Sequence, residues 1–128
     1  MASGARIRRS SAMGNFKNLS VWEKSHSLAV RVHHVVKTMR SPRYASLRNQ
    51  MIRAAESIPT NIVEGSRKAS NRDFARFLGY ASNSASELEY HLILARDIAA
   101  IPQTETSVLI GDAIEVRRML HGLIRRLG

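Results

Sequence analysis

Four times along this chain the apolar residues recur at alternating steps of three and four, and no other feature restricts the fold as much. The clearest run is LRNQMIRAAESIPTNIVEG, residues 47–65, in which Leu47, Met51, Ala54, Ala55, Ile58 and Ile62 line one helical face. Pro59 falls inside it. A proline removes a backbone donor and collides with the carbonyl four residues back, so a helix that keeps its period through Pro59 is expected to kink there and continue. Gly65 is the expected stop, because glycine suits the left-handed position just past a helix end.

The other three stripes follow the same spacing. A first helix is expected over 21–39, with Val21, Ser25, Leu28, Val32, Val35 and Met39 as its seam. Ser20 is its candidate N-cap, and Glu23 would complete a capping box. Pro42 disfavours helix at Ser41 and marks a break. A third helix is expected over 72–100, opened by Ser70 and Asp73 as a second capping box. Its seam is Phe74, Phe77 or Leu78, Ala81, Ala85, Leu88, Leu92, Ala95 and Ile98 or Ala99. Pro102 closes it, Thr104 or Thr106 caps a fourth helix over 107–127, and Leu109, Ala113, Val116, Leu120, Leu123 and Leu127 form the last seam. Hydrophobic residues make up 44% of the chain and aromatics only 5%, so the core must be aliphatic and alanine-rich, which suits helices better than strands. Short connections between four amphipathic helices predict an all-α fold, an antiparallel up-down-up-down four-helix bundle. With 128 residues, one domain is expected, over 16–128. Residues 1–15, MASGARIRRSSAMGN, hold arginines and no acid, and read as a disordered basic arm. The arm has no apolar stretch of the secretory kind. Met13, just ahead of FKNLSVW, is a second candidate start.

Charge is the second constraint. Lys and Arg number 20 against 10 Asp and Glu, a formal net charge of +10. Such an excess attracts polyanions, nucleic acid first and anionic surfaces second. The alternative is a solvated arginine-rich surface serving solubility. There is no cysteine, which excludes disulfides and thiolate metal sites and agrees with a reducing, cytoplasmic setting. No apolar run approaches the ~18 residues of a membrane span.

The up-down topology then makes a statement about place. The arm, the second loop and the C-terminus share one end of the bundle. That end would gather Arg6, Arg8, Arg9, Lys17, Arg67, Lys68, Arg72, Arg76, Arg125 and Arg126 against Glu23, Glu64 and Asp73. The opposite end would hold Lys37, Arg40, Arg43 and Arg48 with Asp97, Glu105 and Asp112. One basic pole is therefore expected, which binds phosphates by charge with little reading of sequence. Arginines at a helix C-terminus also offset the helix dipole. That accounts for Arg125 and Arg126 but not for basic residues at the start of the third helix. Trp22, Tyr44, Tyr80 and Tyr90 are the few aromatics able to stack on a base, and Trp22, Ile52, Tyr80, Tyr90 and Ile93 lie off the seams, where they would suit an interface.

Enzymatic readings fare poorly. Glu87 and His91 are one turn apart, yet di-iron bundles need Glu-x-x-His twice with two further glutamates, and the first and fourth helices offer none on their seams. No GxxxxGK phosphate loop occurs, and no serine sits in a recognisable nucleophile context. No catalytic residue, metal or cofactor is expected.

The string SIPTNIVEG, preceded by RAAE and followed by RKASNRDFARFL, with FKNLSVWEKSHSLA upstream and the ELE segment at Glu87 to Glu89, resembles the signature of the four helix bundle protein family. That family includes proteins encoded within intervening sequences of bacterial large-subunit ribosomal RNA genes, and has a related branch of accessory variability proteins of diversity-generating retroelements. The resemblance covers nearly everything from Phe16 to Leu127. It implies a homo-oligomer, a homopentamer in similar proteins, and an RNA or a reverse transcriptase as partner. Asn83 stands where the family pattern has glycine or arginine. In the matching motif, Pro59, Asn61, Glu64 and Gly65 are the distinctive positions. Asn61 is expected to bond across helices near the kink, and Glu64 to cap or pair with basic residues at the turn. Two functions remain: a non-catalytic nucleic-acid binder acting through its basic pole, and an oligomeric scaffold for a protein partner.

Overall fold

In a computed structural model, which describes residues 15–128, each apolar stripe becomes a helix. These are α1 (Ser20–Val36), α2 (Ala45–Ser66), α3 (Asn71–Asp97) and α4 (Gln103–Leu127). Short 3-10 turns at Phe16–Asn18 and Pro42–Tyr44 lead into α1 and α2. No strand occurs among the described residues. The expected basic arm, apart from Asn15, lies outside them.

The seams meet in one core. Leu28 and Val32 from α1, Met51, Ile58 and Ile62 from α2, Phe74, Leu78, Leu88 and Leu92 from α3, and Val116 and Leu120 from α4 are all fully buried. Each such side chain contributes about 1.5–3 kcal/mol by leaving water. Alanines 54, 55, 81, 85 and 113 sit between them, so the helices approach closely. Helices α2–α3 and α3–α4 pack most extensively, and α1 closes the ring against α2 and α4.

Contacts across the seams fix the sense of each pair. Asn71 bonds the carbonyl of Leu127 while Glu89 meets Arg117, so residue numbers rise on α3 as they fall on α4. Gly65 lies against Phe74, and Ser57 bonds Ser84. His33 bonds Glu56, whereas Met39 meets Arg48. Arg31 reaches Asp112, and Leu19 to Val21 sit beside Met119 to Leu123. Every neighbouring pair is antiparallel. A short antiparallel turn between the two helices would set Asn61 beside Phe74 and Arg48 beside Glu87; the observed register of α2 on α3 differs from this by more than a turn. Glu87 shares a groove with Asn49, Gln50 and Arg53 instead. The reason is the reversal point: α2 runs on to Ser66 and α3 is not capped until Ser70.

Helix ends depart from expectation where local rules compete with tertiary ones. Ser70 does cap α3, accepting from the Asp73 amide at 3.0 Å. Ser20 does not cap α1; it is the first helical residue, and Leu19 precedes it without a side-chain bond. The preceding 3-10 turn makes that entry, and the Leu19 carbonyl accepts from Trp22 and Glu23. Helix α1 ends at Val36, three residues early, and Arg48 donates to the carbonyls of Met39 and Ser41 beyond it. Neither threonine caps α4. The helix starts at Gln103, and Thr106 is buried inside its first turn, donating back to Pro102 and Gln103 carbonyls. Helix α3 ends at Asp97, before Pro102 is reached, so neither Ile98, which is exposed, nor Ala99 extends its seam. Ala99 has φ 59°, while Ala100 N–H bonds the Ala95 carbonyl and Ala99 N–H that of Arg96. That is a Schellman ending built on an alanine.

Helix α2 continues through Pro59 without a break. The ring removes the amide that would serve the Ala55 carbonyl. Just beyond it, Thr60 Oγ1 donates to the Glu56 carbonyl at 2.8 Å and Asn61 Nδ2 to the Ser57 carbonyl at 2.9 Å. Side-chain donors thus reinforce the acceptors around the missing bond. Gly65 is not the left-handed stop. It is helical, α2 ends one residue later, and the capping Arg67 has φ −90°.

Candidate nucleic-acid interface

The arrangement of α1, α2, α3 and α4 puts the start of α1, the turn 67–70, the start of α3 and the end of α4 at one end of the bundle. Lys17 is exposed in the 3-10 turn before α1. Arg67 and Lys68 occupy the turn, Arg72 and Arg76 the first two turns of α3, and Arg125 and Arg126 the last turn of α4. Arg6, Arg8 and Arg9 lie outside the described residues. The guanidinium groups of Arg67, Arg72, Arg125 and Arg126 are exposed and pair with no acid among the described residues. Glu64 is exposed too, and its carboxylate forms no ion pair among them.

The middle of the bundle is different, because its acids are engaged. Asp112 takes Arg31, with Lys24 at 3.7 Å. Glu89 takes Arg117, Glu115 takes Arg118 at 2.7 Å, and Glu56 meets His33 at 2.7 Å. Asp112 therefore belongs to the waist and not to the far end where the sequence puts it. This leaves the far end with Lys37, Arg40 and Arg43 against Glu105, since Arg48 holds carbonyls and Arg96 pairs with Asp97 at 3.0 Å. The far end is also positive, so the contrast between the two ends is smaller than the topology alone predicts.

Among the described residues the far end has one cation–aromatic pair, Arg43 at 5.2 Å from the Tyr44 ring centre, whereas the first end has a larger cluster at the α2–α3 turn. Phe77 is half-buried and Tyr80 is 42% exposed, with their rings 5.3 Å apart, edge to face. Lys68 Nζ lies 4.9 Å from the Phe77 ring centre, and the Arg76 guanidinium 5.0 Å from it. Arg76 donates to Tyr80 Oη at 3.1 Å and reaches Asp73 at 3.5 Å. The hydrogen bond to Tyr80, more than the nearby Asp73, raises the Arg76 pKa above its ordinary value. Sequence reasoning placed Phe77 beside Leu78 as alternatives for one core position. Leu78 takes the core, and Phe77, one step round the helix, holds cations. Tyr80 lies three residues after Phe77 and four after Arg76, so one face of α3 carries these three, whereas the approach of Lys68 needs the turn.

The polar motif residues serve α2 itself. Asn61 Nδ2 bonds the carbonyl and Oγ of Ser57, at 2.9 and 3.0 Å. The bond across helices is made by Ser57 and Ser84, whose hydroxyls are 2.8 Å apart. Asn61 therefore supports that bridge from one side and does not itself bond across helices as expected. On the opposite face of α3, Ser82 Oγ and His121 Nε2 are 2.8 Å apart.

Among the described residues no group of three or more His, Cys, Asp or Glu could hold a metal ion. His91 is buried with both ring nitrogens unbonded, 3.6 Å from Glu87. No described helix is long and apolar enough to cross a membrane.

The chain matches the model of the 23S rRNA-intervening sequence protein family over residues 17–122. Among solved structures it is similar to a protein of unknown function from the S23 ribosomal protein family of Bacteroides thetaiotaomicron. The two are 28% identical, the match covers 82% of this chain and 98% of that one, and the TM-score is 0.77. No curated protein matches.

Proposed function

The chain belongs to the 23S rRNA-intervening sequence protein family, and from that premise we propose that it binds nucleic acid, RNA before DNA, through the basic end of the bundle and without catalysis. The observation that carries this reading is the set of exposed guanidinium groups at that end, Arg67, Arg72, Arg125 and Arg126, with no acid partner among the described residues. Unpaired cations on a rigid scaffold neutralise backbone phosphates and release their counterions, which supplies affinity without reading bases. Assembly as a homo-oligomer, a pentamer as the sequence resemblance implies, would present several such ends to one polyanion and raise avidity.

A mobility-shift titration with a structured RNA tests the reading. Wild-type protein shifts the RNA at low salt. Arg67→Glu, Lys68→Glu and Arg72→Glu together abolish the shift, whereas Arg40→Glu with Arg43→Glu at the far end weakens it less. Equal loss from both sets would move the interface off the basic end.

A second reading rests on a groove of about 430 Å³ between α1 and α4, lined by Arg31, His34, Val35, Val108 and Leu109, with Val108 58% exposed. This apolar surface suits a protein partner, a reverse transcriptase among the candidates. Such a complex would survive salt that dissolves a charge-driven one.

A further inference from the structure

We infer that the Lys68–Arg76–Phe77–Tyr80 cluster is a stacking site for unpaired nucleobases, so that the basic end prefers single-stranded to duplex RNA. This rests on the nucleic-acid reading of that end and specifies its substrate.

Tyr80 exposes 42% of its surface at the edge of the cationic end, although an aromatic ring usually seeks burial. Its hydroxyl accepts from Arg76 at 3.1 Å and its edge meets Phe77, so its orientation is fixed before any ligand arrives. A base stacking on it loses little side-chain entropy on the protein side. Cations surround the aromatic pair: Lys68 at 4.9 Å and Arg76 at 5.0 Å from the Phe77 centre, and Arg76 at 5.9 Å from that of Tyr80. Aromatic faces interleaved with phosphate-binding cations are what a single strand needs, because each unpaired base offers a π face beside its own phosphate. A duplex offers only the phosphates; its bases are already stacked and paired. Flanking cations also make the patch a poor seat for an uncharged apolar partner, since docking would strip them of water without a counter-charge.

The test is fluorescence anisotropy of full-length protein with a labelled mixed-sequence RNA strand and with the same strand annealed to its complement. The wild-type chain binds the single strand more tightly. Tyr80→Ala weakens single-strand binding by about tenfold, the size expected for loss of one stacked base, and leaves duplex binding unchanged. Tyr80→Phe, which keeps the ring, retains most of the preference. Tyr80 is exposed, so the variant should fold, and its circular dichroism and melting temperature serve as the check. If the wild-type chain binds both forms equally and Tyr80→Ala changes neither, the stacking site is wrong and the charge reading stands. If neither form binds at low salt, the charge reading fails beneath it. An acidic protein that binds the patch in a Tyr80-dependent way, with no RNA bound, would overturn the inference in favour of a protein interface.

Discussion

A β-carbon added to Gly65 would lie 2.8 Å from Phe74 Cδ1 and 2.9 Å from Phe77 Cβ. Both are closer than atoms in a packed interior tolerate. Glycine is required there by the approach of α3 and not by any backbone angle. Sequence alone pointed to the right residue for the wrong reason, because the demand comes from side chains nine and twelve positions away. Gly65→Ala should destabilise the protein by about 1–3 kcal/mol through overpacking, read as a lower midpoint in urea unfolding with an unchanged slope. Ala99 is the converse case. It holds φ 59° at the end of α3, where a side chain costs roughly 1–2 kcal/mol. Ala99→Gly should therefore stabilise by about 1 kcal/mol, less some gain of freedom in the unfolded chain, and raise the melting temperature by a few degrees. Nothing in the local sequence marks Ala99, since glycine is the residue that would have announced the turn.

At the scale of the helix, existence and interior were legible but most of the ends were not. Spacing alone assigns Met51, Ile58 and Ile62, or Leu88 and Leu92, to the core, because the helical period forces them onto one face. Ser70 was legible as a cap because nothing competes for its hydroxyl. Ser20 and Thr106 were not, because a 3-10 turn and a buried first turn replace their capping roles. Asn61 illustrates the same limit. Its donor serves the helix around Pro59, and the bridge to α3 passes through Ser57 and Ser84. The early end of α1 depends on Arg48, which holds the carbonyls of Met39 and Ser41 from the next helix. Arg48→Met keeps most of the side chain's bulk and removes both bonds. It should cost about 1.5 kcal/mol, the lower range for bonds to a charged group. Hydrogen exchange should quicken around residues 37–44 and leave the α3 core unchanged; uniform quickening would mean a global role.

For the whole molecule, topology followed from connection lengths, and the gathering of basic residues at one end followed from topology. The balance between the two ends did not. It depends on which acids the waist consumes, and Asp112 is spent on Arg31 and Lys24. Ion pairs between distant helices are invisible until the register is known, and the register of α2 on α3 turned on the length of the turn at 67–70. The cation–aromatic cluster was equally hidden, since it needs Lys68 from the turn to meet Phe77 from α3. The proposal that charge at this end binds RNA is checked by the salt dependence of the affinity for a single strand, measured for the wild-type chain and for the Arg67→Ala, Lys68→Ala, Arg72→Ala variant. Each phosphate contact contributes about −0.7 to the slope of log affinity against log salt for a single strand, so the variant's slope should be shallower by about 2. A wild-type affinity indifferent to salt, or the same slope in both proteins, would contradict the account.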